Sequence, residues 1–176
     1  MSKITPAEIE RAIRNIPDFP KPGIQFKDIT PVLADAKLFT GTIDLLCDGH
    51  KPGDVDAVVG IDARGFIFAA AAAMKLNAGF VPVRKKGKLP HKTYEQDYAL
   101  EYGSATVAMH IDALKPGARV LLIDDLLATG GTAAAAAALV KKLNAKIVEI
   151  SFLIELKFLN GRDKLKGNPV RSVIAY

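Results

Sequence analysis

Two adjacent carboxylates, Asp124 and Asp125, close an apolar run and stand just ahead of Thr129-Gly130-Gly131-Thr132. Like charges side by side are tolerated where a cation or a cluster of hydroxyl donors lies near them. The glycines let the backbone approach a ligand closely, and the threonine hydroxyls add donors. A strand, a turn of small residues and a helix N-terminus together present N–H groups and the positive end of a dipole to an anion. A phosphorylated sugar with Mg²⁺ satisfies both halves of this pattern. No lysine follows the glycines, so the segment is not the G-x-x-x-x-G-K-[ST] loop that reaches a nucleotide's outer phosphates, and G-x-G-x-x-G is absent as well. Taken alone, T-G-G-T also fits an ordinary turn with helix-capping threonines.

Two further segments carry cations suited to phosphate. After the apolar run Ala57 to Ile61 comes Asp62-Ala63-Arg64-Gly65, where Gly65 relaxes a turn and Arg64 offers a fork of donors to phosphate oxygens. A surface ion pair is the alternative use of that arginine. The run Arg84-Lys85-Lys86-Gly87-Lys88-Leu89 places four cations in six residues. It reads as a mobile phosphate-closing loop, as a solvated basic loop or as a nucleic-acid contact. The absence of aromatic side chains among the lysines weighs against the last, because base stacking needs them. The histidines His50, His91 and His110 are scattered without metal-ligand spacing, so no intrinsic metal site is expected.

The elements that must position these groups follow from periodicity. Apolar runs of strand length occur at 57–61, 80–83, 119–123 and 147–154, separated by alanine-rich helical stretches at 66–76 and 132–143. Strands alternating with helices give right-handed crossovers and an α/β fold with a mainly parallel, twisted sheet flanked by helices. Ligands then bind beyond the carboxyl ends of the strands, which is where the three segments lie. Residues 93–110, polar and alternating around Gly103, read as a two-stranded excursion. Thr5, Pro6 and Glu8 spell a capped helix start, with Ile4 spaced to staple onto Ile9, and the first helix is expected to run to about Asn15. Residues 17–31 hold four prolines and read as a long irregular loop, a lid anchored by Ile24, Phe26 and Ile29; residues 32–50 read as helical.

Composition sets outer bounds. The 176 residues, 49% hydrophobic, suit one domain over 1–176. The lone Cys47 cannot form an internal disulfide, so a reducing cytoplasm is expected. No apolar run is long enough to span a membrane, and no signal peptide is expected at the N-terminus. The net charge of +5 favours anionic partners, from nucleic acid down to a phosphorylated metabolite, without choosing among them.

The string V-L-L-I-D-D-L-L-A-T-G-G-T-A resembles the phosphoribosyl-diphosphate signature of type I phosphoribosyltransferases, in the form used by their adenine branch. The resemblance extends through F-P-K-P-G-I-Q-F-K-D-I-T-P-V-L, R-K-K-G-K-L-P and L-E-Y-G, hence over nearly the whole chain. It implies transfer of the 5-phosphoribosyl group from 5-phosphoribosyl 1-diphosphate to adenine, giving AMP and pyrophosphate, with Mg²⁺ arriving with the diphosphate near Asp124 and Asp125. It also implies a homodimer, a small N-terminal helix and base-covering hood over 1–31, and a flexible catalytic β-loop over 84–105. By resemblance, Ala128, Thr129, Gly130, Gly131 and Thr132 hold the 5′-phosphate, and Asp124 and Asp125 the ribose hydroxyls. Arg64, Gly65, Arg84, Lys85 and Lys88 bind the diphosphate, and the catalytic residues are Arg64 together with Glu101 and Tyr102 of the flexible loop. Gln25, Phe26, Lys27 and Leu126 are assigned to adenine; from the residues alone, Phe26 reads first as a core anchor under a long loop. The family's S-R-G reads Ala63-Arg64-Gly65 here, losing one hydroxyl, and the resemblance implies a non-proline cis peptide at Ala63-Arg64. Two rivals stand beside this reading: a phosphoribosyl-diphosphate-sensing regulator that binds nucleic acid, and an enzyme acting on hypoxanthine, guanine or xanthine.

Overall fold

The computed structural model describes residues 3–99 and 103–176. The backbone gathers into two compact units, Met1–Leu45 and Leu46–Tyr176.

The first unit opens with helix α1 (Pro6–Ala12). Its capping box forms as expected: the Glu8 N–H donates to Thr5 Oγ1 at 3.4 Å and the Thr5 N–H donates to Glu8 Oε2 at 2.8 Å. Ile9 is fully buried, and Ile4 lies against Gly41. The helix stops short of the expected Asn15, because Ile13 turns extended (φ −68°, ψ 125°). Residues Arg14–Pro17 instead form strand β1, antiparallel to β2 (Gln25–Asp28). The proline-rich stretch is therefore a hairpin, not an irregular loop. Asp18, at φ 56°, accepts the Gly23 N–H on Oδ1 at 2.7 Å, and the Phe19 N–H donates to the Ile24 carbonyl at 3.3 Å. These bonds draw the strand ends together although the prolines remove donors. The expected helical stretch 32–50 is two helices, α2 (Thr30–Ala34) and α3 (Ala36–Leu46). Between them Asp35 accepts the N–H groups of Lys37 and Leu38 at 2.9 Å each and so caps α3.

The second unit is an α/β layer structure. In chain order it contains β3 (Ala57–Ile61), α4 (Arg64–Leu76), β4 (Gly79–Lys85), β5 (Thr93–Ala99), β6 (Ser104–His110), β7 (Arg119–Leu127), α5 (Gly131–Lys142) and β8 (Lys146–Glu155). Two short 3₁₀ turns, η1 (Lys157–Leu159) and η2 (Gly161–Leu165), lead to β9 (Val170–Ala175). The seven strands lie in the order β5-β6-β4-β3-β7-β8-β9. Pairs β4·β3, β3·β7, β7·β8 and β8·β9 are parallel; β5·β6 and β6·β4 are antiparallel. The sheet is thus mainly parallel, as the sequence implies, and the two-stranded excursion joins it through β6.

Alternate residues feed opposite layers. Ala57, Val59 and Ile61 of β3 join Val120 and Leu122 of β7, Phe152 of β8 and the buried alanines of α5 in one cluster. Gly60 faces the other way, where a Cβ would fall 2.6 Å from Ala69 Cβ of α4. Both faces are covered, which accounts for the uninterrupted apolar strands. Each fully buried Val, Leu or Ile contributes roughly 1.5–3 kcal/mol to the stability of the platform beneath the site. Among the described residues no helix is long and apolar enough to cross a membrane.

Candidate active site

The parallel register sets three strand ends side by side: Ile61 pairs with Val83, and Gly60 with Ile123. The loops after β3, β4 and β7 therefore leave from one edge. β7 runs farther than its apolar stretch, through Asp124 and Asp125 to Leu127, because Asp124 pairs with Phe152 and Leu127 with Glu155 of β8. The two acids are thus strand residues held by a ladder.

Beyond β7, Asp124 and residues 126–133 line an open cradle. Helix α5 begins there with Gly130 as its cap, in the left-handed region at φ 77°, and no side chain caps the helix. The first bond into its ladder is the Ala134 N–H to the Gly130 carbonyl at 2.9 Å. The N–H groups before it have no intrahelical acceptor, so the helix end favours an anion. The threonines do not act as helix caps here. Thr129 and Thr132 are half-buried at the cradle wall, and Gly131 is buried.

Gly130 owes its lack of a side chain to more than ligand approach. A Cβ on it would strike the Gly161 carbonyl of η2, and one on Gly161 would strike the Ala128 carbonyl. On its far side the loop thus rests backbone against backbone on η2. Gly131 meets the end of β5, where a Cβ would lie 3.3 Å from both the Ala99 carbonyl oxygen and Tyr98 Cδ2.

The carboxylate pair is electrostatically loaded. Asp125 is 5% exposed, and Arg64 Nη2 stands 2.8 Å from its Oδ2. That contact is an ion pair without hydrogen-bond alignment, since among the described residues Asp125 Oδ2 has no hydrogen-bond partner. Asp124 Oδ1 accepts the Asp125 N–H at 2.9 Å. Burial and the Asp125 charge push Asp124 well above the ordinary aspartate range. Burial also raises Asp125, against the pull of the Arg64 guanidinium. Such a pair gains from hydroxyl donors or a divalent cation, and the residues present fit either.

At the end of β3 the structure corrects two expectations. The non-proline cis peptide is Asp62-Ala63, one bond earlier than Ala63-Arg64, and Ala63 stands at the N-cap position of α4 with right-handed helical dihedrals. Gly65 does not relax a turn. It is buried in α4 outside the positive-φ region, and a Cβ there would fall 2.6 Å from Asp124 Oδ1 and 3.2 Å from the Ile123 carbonyl oxygen. Its role is close approach of α4 to β7. No side chain caps α4 either, leaving a second helix N-terminus near the acids.

Two of the four cations at 84–88 are engaged. Arg84 Nε donates to Asp62 Oδ2 at 2.9 Å and its Nη1 to the Lys88 carbonyl at 3.1 Å, while Lys86 Nζ lies 2.7 Å from Glu95 Oε2. Lys85 and Lys88 are exposed, and among the described residues neither makes an ion pair. Asp62, which no motif singles out, anchors Arg84. Glu101 and Tyr102 lie outside the described residues.

In the first unit, Gln25, Phe26 and Lys27 all lie on β2. Phe26 is half-buried and meets Phe19 edge-to-face, with ring centroids 5.1 Å apart, and Lys27 Nζ donates to Asn15 Oδ1 at 2.6 Å. In the second unit Leu126 pairs with Ile154 and is half-buried.

Comparison with known proteins places this geometry among relatives. The phosphoribosyl transferase domain family matches residues 32–171. The adenine phosphoribosyltransferase of Acidothermus cellulolyticus is 59% identical over 162 residues, covering 92% of each chain. The crystal structure of the Rhodothermus marinus adenine phosphoribosyltransferase superposes with a TM-score of 0.92 at 50% identity, covering 97% of this chain and 98% of that one. The Saccharomyces cerevisiae enzyme, complexed with an imino-altritol bisphosphate and adenine, superposes with a TM-score of 0.91 at 40% identity, covering 96% and 97%.

Proposed function

The chain belongs to the adenine phosphoribosyltransferase family, and from that premise we propose that it transfers the 5-phosphoribosyl group from its 1-diphosphate to adenine, giving AMP and pyrophosphate. The observation that carries the chemistry is the uncapped N-terminus of α5 a short loop beyond the half-buried Asp124 and the buried Asp125.

In this reading the N–H groups and hydroxyls of residues 128–132 hold the 5′-phosphate, as a helix N-terminus favours. Asp124 and Asp125 accept the ribose hydroxyls, which offsets the repulsion between them. Arg64, the N–H groups at Gly65, Arg84, Lys85 and Lys88 face the diphosphate. Breaking the C1–O bond leaves an oxocarbenium-like sugar and a departing pyrophosphate whose bridging oxygen takes up the bond's electron pair, so fixed cations lower the barrier by stabilising the charge that develops. The purine nitrogen attacks C1 and its proton leaves, a transfer assigned to Glu101, with Tyr102 hydrogen-bonding nearby. Closure of 84–105 keeps water from the sugar cation. Phe26 and Leu126 are assigned to the adenine faces, and the backbone of Gln25 and Lys27 to its edge; this assignment rests on the family resemblance.

Mg²⁺ bound with the diphosphate would neutralise its oxygens and would be held in part by Asp124 and Asp125, whose donor set suits it. A homodimer and a cytoplasmic setting belong to the same reading, and sedimentation showing a fully active monomer would contradict the former. Incubation with adenine, 5-phosphoribosyl 1-diphosphate and Mg²⁺ should yield AMP, with hypoxanthine and guanine competing poorly. Glu101→Gln should slow turnover on the order of 10²-fold. Absence of AMP together with salt-dependent nucleic-acid binding would favour a regulator instead.

A further inference from the structure

The segment after β8 is not used by the mechanism above, yet its backbone packs directly against the phosphate loop. We infer that Gly161 and Arg162 of η2 are positioning residues for the 5′-phosphate site. They form a rigid backing that fixes the loop 128–130 from the side away from the ligand. The inference rests on the reading that this loop holds the 5′-phosphate.

Three observations carry it. First, Gly161 is absent from the left-handed conformations that favour glycine, so its backbone angles do not require glycine. Space does: a Cβ would strike the Ala128 carbonyl and fall 2.9 Å from Leu127 Cδ1 and 3.0 Å from the Gly130 nitrogen. Two of these obstacles are loop backbone, which cannot rotate aside as a side chain can. Second, the contact is reciprocal, since a Cβ on Gly130 would strike the Gly161 carbonyl. The loop glycine and the η2 glycine are thus interlocked, and displacing one displaces the other.

Third, η2 is itself clamped. Arg162 Nε and Nη2 donate to Glu155 Oε1 and Oε2 at 2.7 Å each, Nη1 donates to the Val170 carbonyl at 2.9 Å, and Nη2 reaches Ser172 Oγ at 3.2 Å. Glu155 is 5% exposed and ends β8, directly opposite Leu127 at the end of β7. A planar fork meeting both oxygens of a buried carboxylate and a neighbouring strand fixes direction as well as distance. The path from sheet to loop is therefore Glu155, Arg162, Gly161, then Ala128 and Gly130. Phosphate affinity depends on several N–H groups converging on one point, so a shift of a few tenths of an ångström in the loop is felt as lost binding.

The test measures ribose 5-phosphate binding by calorimetry, and KM and kcat with 5-phosphoribosyl 1-diphosphate and adenine, in full-length protein. Gly161→Ala should weaken ribose 5-phosphate binding and raise the KM for the diphosphate by about 10-fold or more, leaving kcat and the adenine KM within about threefold. Arg162→Gln should act in the same direction, and Arg162→Lys, keeping charge but losing the fork, should fall between it and the parent. A purely structural role would lower the melting temperature and the active fraction without moving KM. If Gly161→Ala does not fold, the two Arg162 variants decide. Unchanged phosphate affinity in a folded variant overturns the inference. Thr132→Val is the control: weakening there without weakening in the η2 variants overturns the inference alone, whereas no weakening in Thr132→Val overturns the phosphate-loop reading itself.

Discussion

Replacing Gly65 by alanine tests how tightly the pyrophosphate side is coupled to the ribose side. The new Cβ would fall 2.6 Å from Asp124 Oδ1, 3.2 Å from the Ile123 carbonyl oxygen and 3.3 Å from Asp124 Cα. The first contact could be relieved by turning the carboxylate, but Asp124 Oδ1 is held by the Asp125 N–H at 2.9 Å. The other two contacts are with strand backbone inside a seven-stranded sheet. Relief therefore requires the first turn of α4 to lift from β7 by several tenths of an ångström, which carries Arg64 away from Asp125. Overpacking of this kind costs about 1–3 kcal/mol. A chain of this size loses about 2–4 °C of melting temperature per kcal/mol, so a fall of roughly 2–12 °C is expected. The protein should stay folded at assay temperature, where steady-state kinetics should show the KM for 5-phosphoribosyl 1-diphosphate rising about 10-fold and the adenine KM little changed. A variant with the parent's KM and melting temperature would refute the claim that glycine is needed there for space.

Three further outcomes follow from the geometry. Hydrogen bonds from Arg162 hold Glu155 below the ordinary glutamate value of 4.5, so its contribution to stability is complete above that value and fades as pH falls through the lowered folded value. Glu155→Gln should therefore cost about 1–2 kcal/mol near neutrality, with the gap to the parent narrowing in acid, as urea melts at several pH values would show. Arg84→Ala removes a cation and the bond to the Lys88 carbonyl that shapes its turn; the KM for the diphosphate should rise about 10-fold and its dependence on salt should weaken. Phe26→Ala should raise the adenine KM by roughly 10- to 100-fold, the equivalent of burying one aromatic ring, with the diphosphate KM nearly unmoved. Equal changes in both constants would place Phe26 in the hairpin's packing alone.

Much of the platform was legible because its signals are local and strong. The run 57–61 is β3 to the residue, and the alternating segment 93–110 is the β5–β6 pair. Asp124 and Asp125 hid the true end of β7, since charged residues close an apolar run even where the strand ladder continues. The β1–β2 hairpin was missed because its prolines argue against strands, while the Asp18–Gly23 bond that closes it has no periodic signature. β9 and η2 were passed over because they are half-exposed and short. At the site, residue types pointed to phosphate and hydroxyl recognition, but not to the reason each glycine is there. Gly65, Gly130 and Gly161 are set by neighbours distant in sequence, which only the packed sheet brings to them. The identity of the base was never in the spacing; it came from likeness to relatives.

The most direct measurement is a crystal structure with 5-phosphoribosyl 1-diphosphate and Mg²⁺ bound. The 5′-phosphate is expected on the N–H groups of residues 128–132, the ribose hydroxyls on Asp124 and Asp125, and the diphosphate facing Arg64. A 5′-phosphate seated on the basic turn 84–88, with the α5 N-terminus left to solvent, would contradict it.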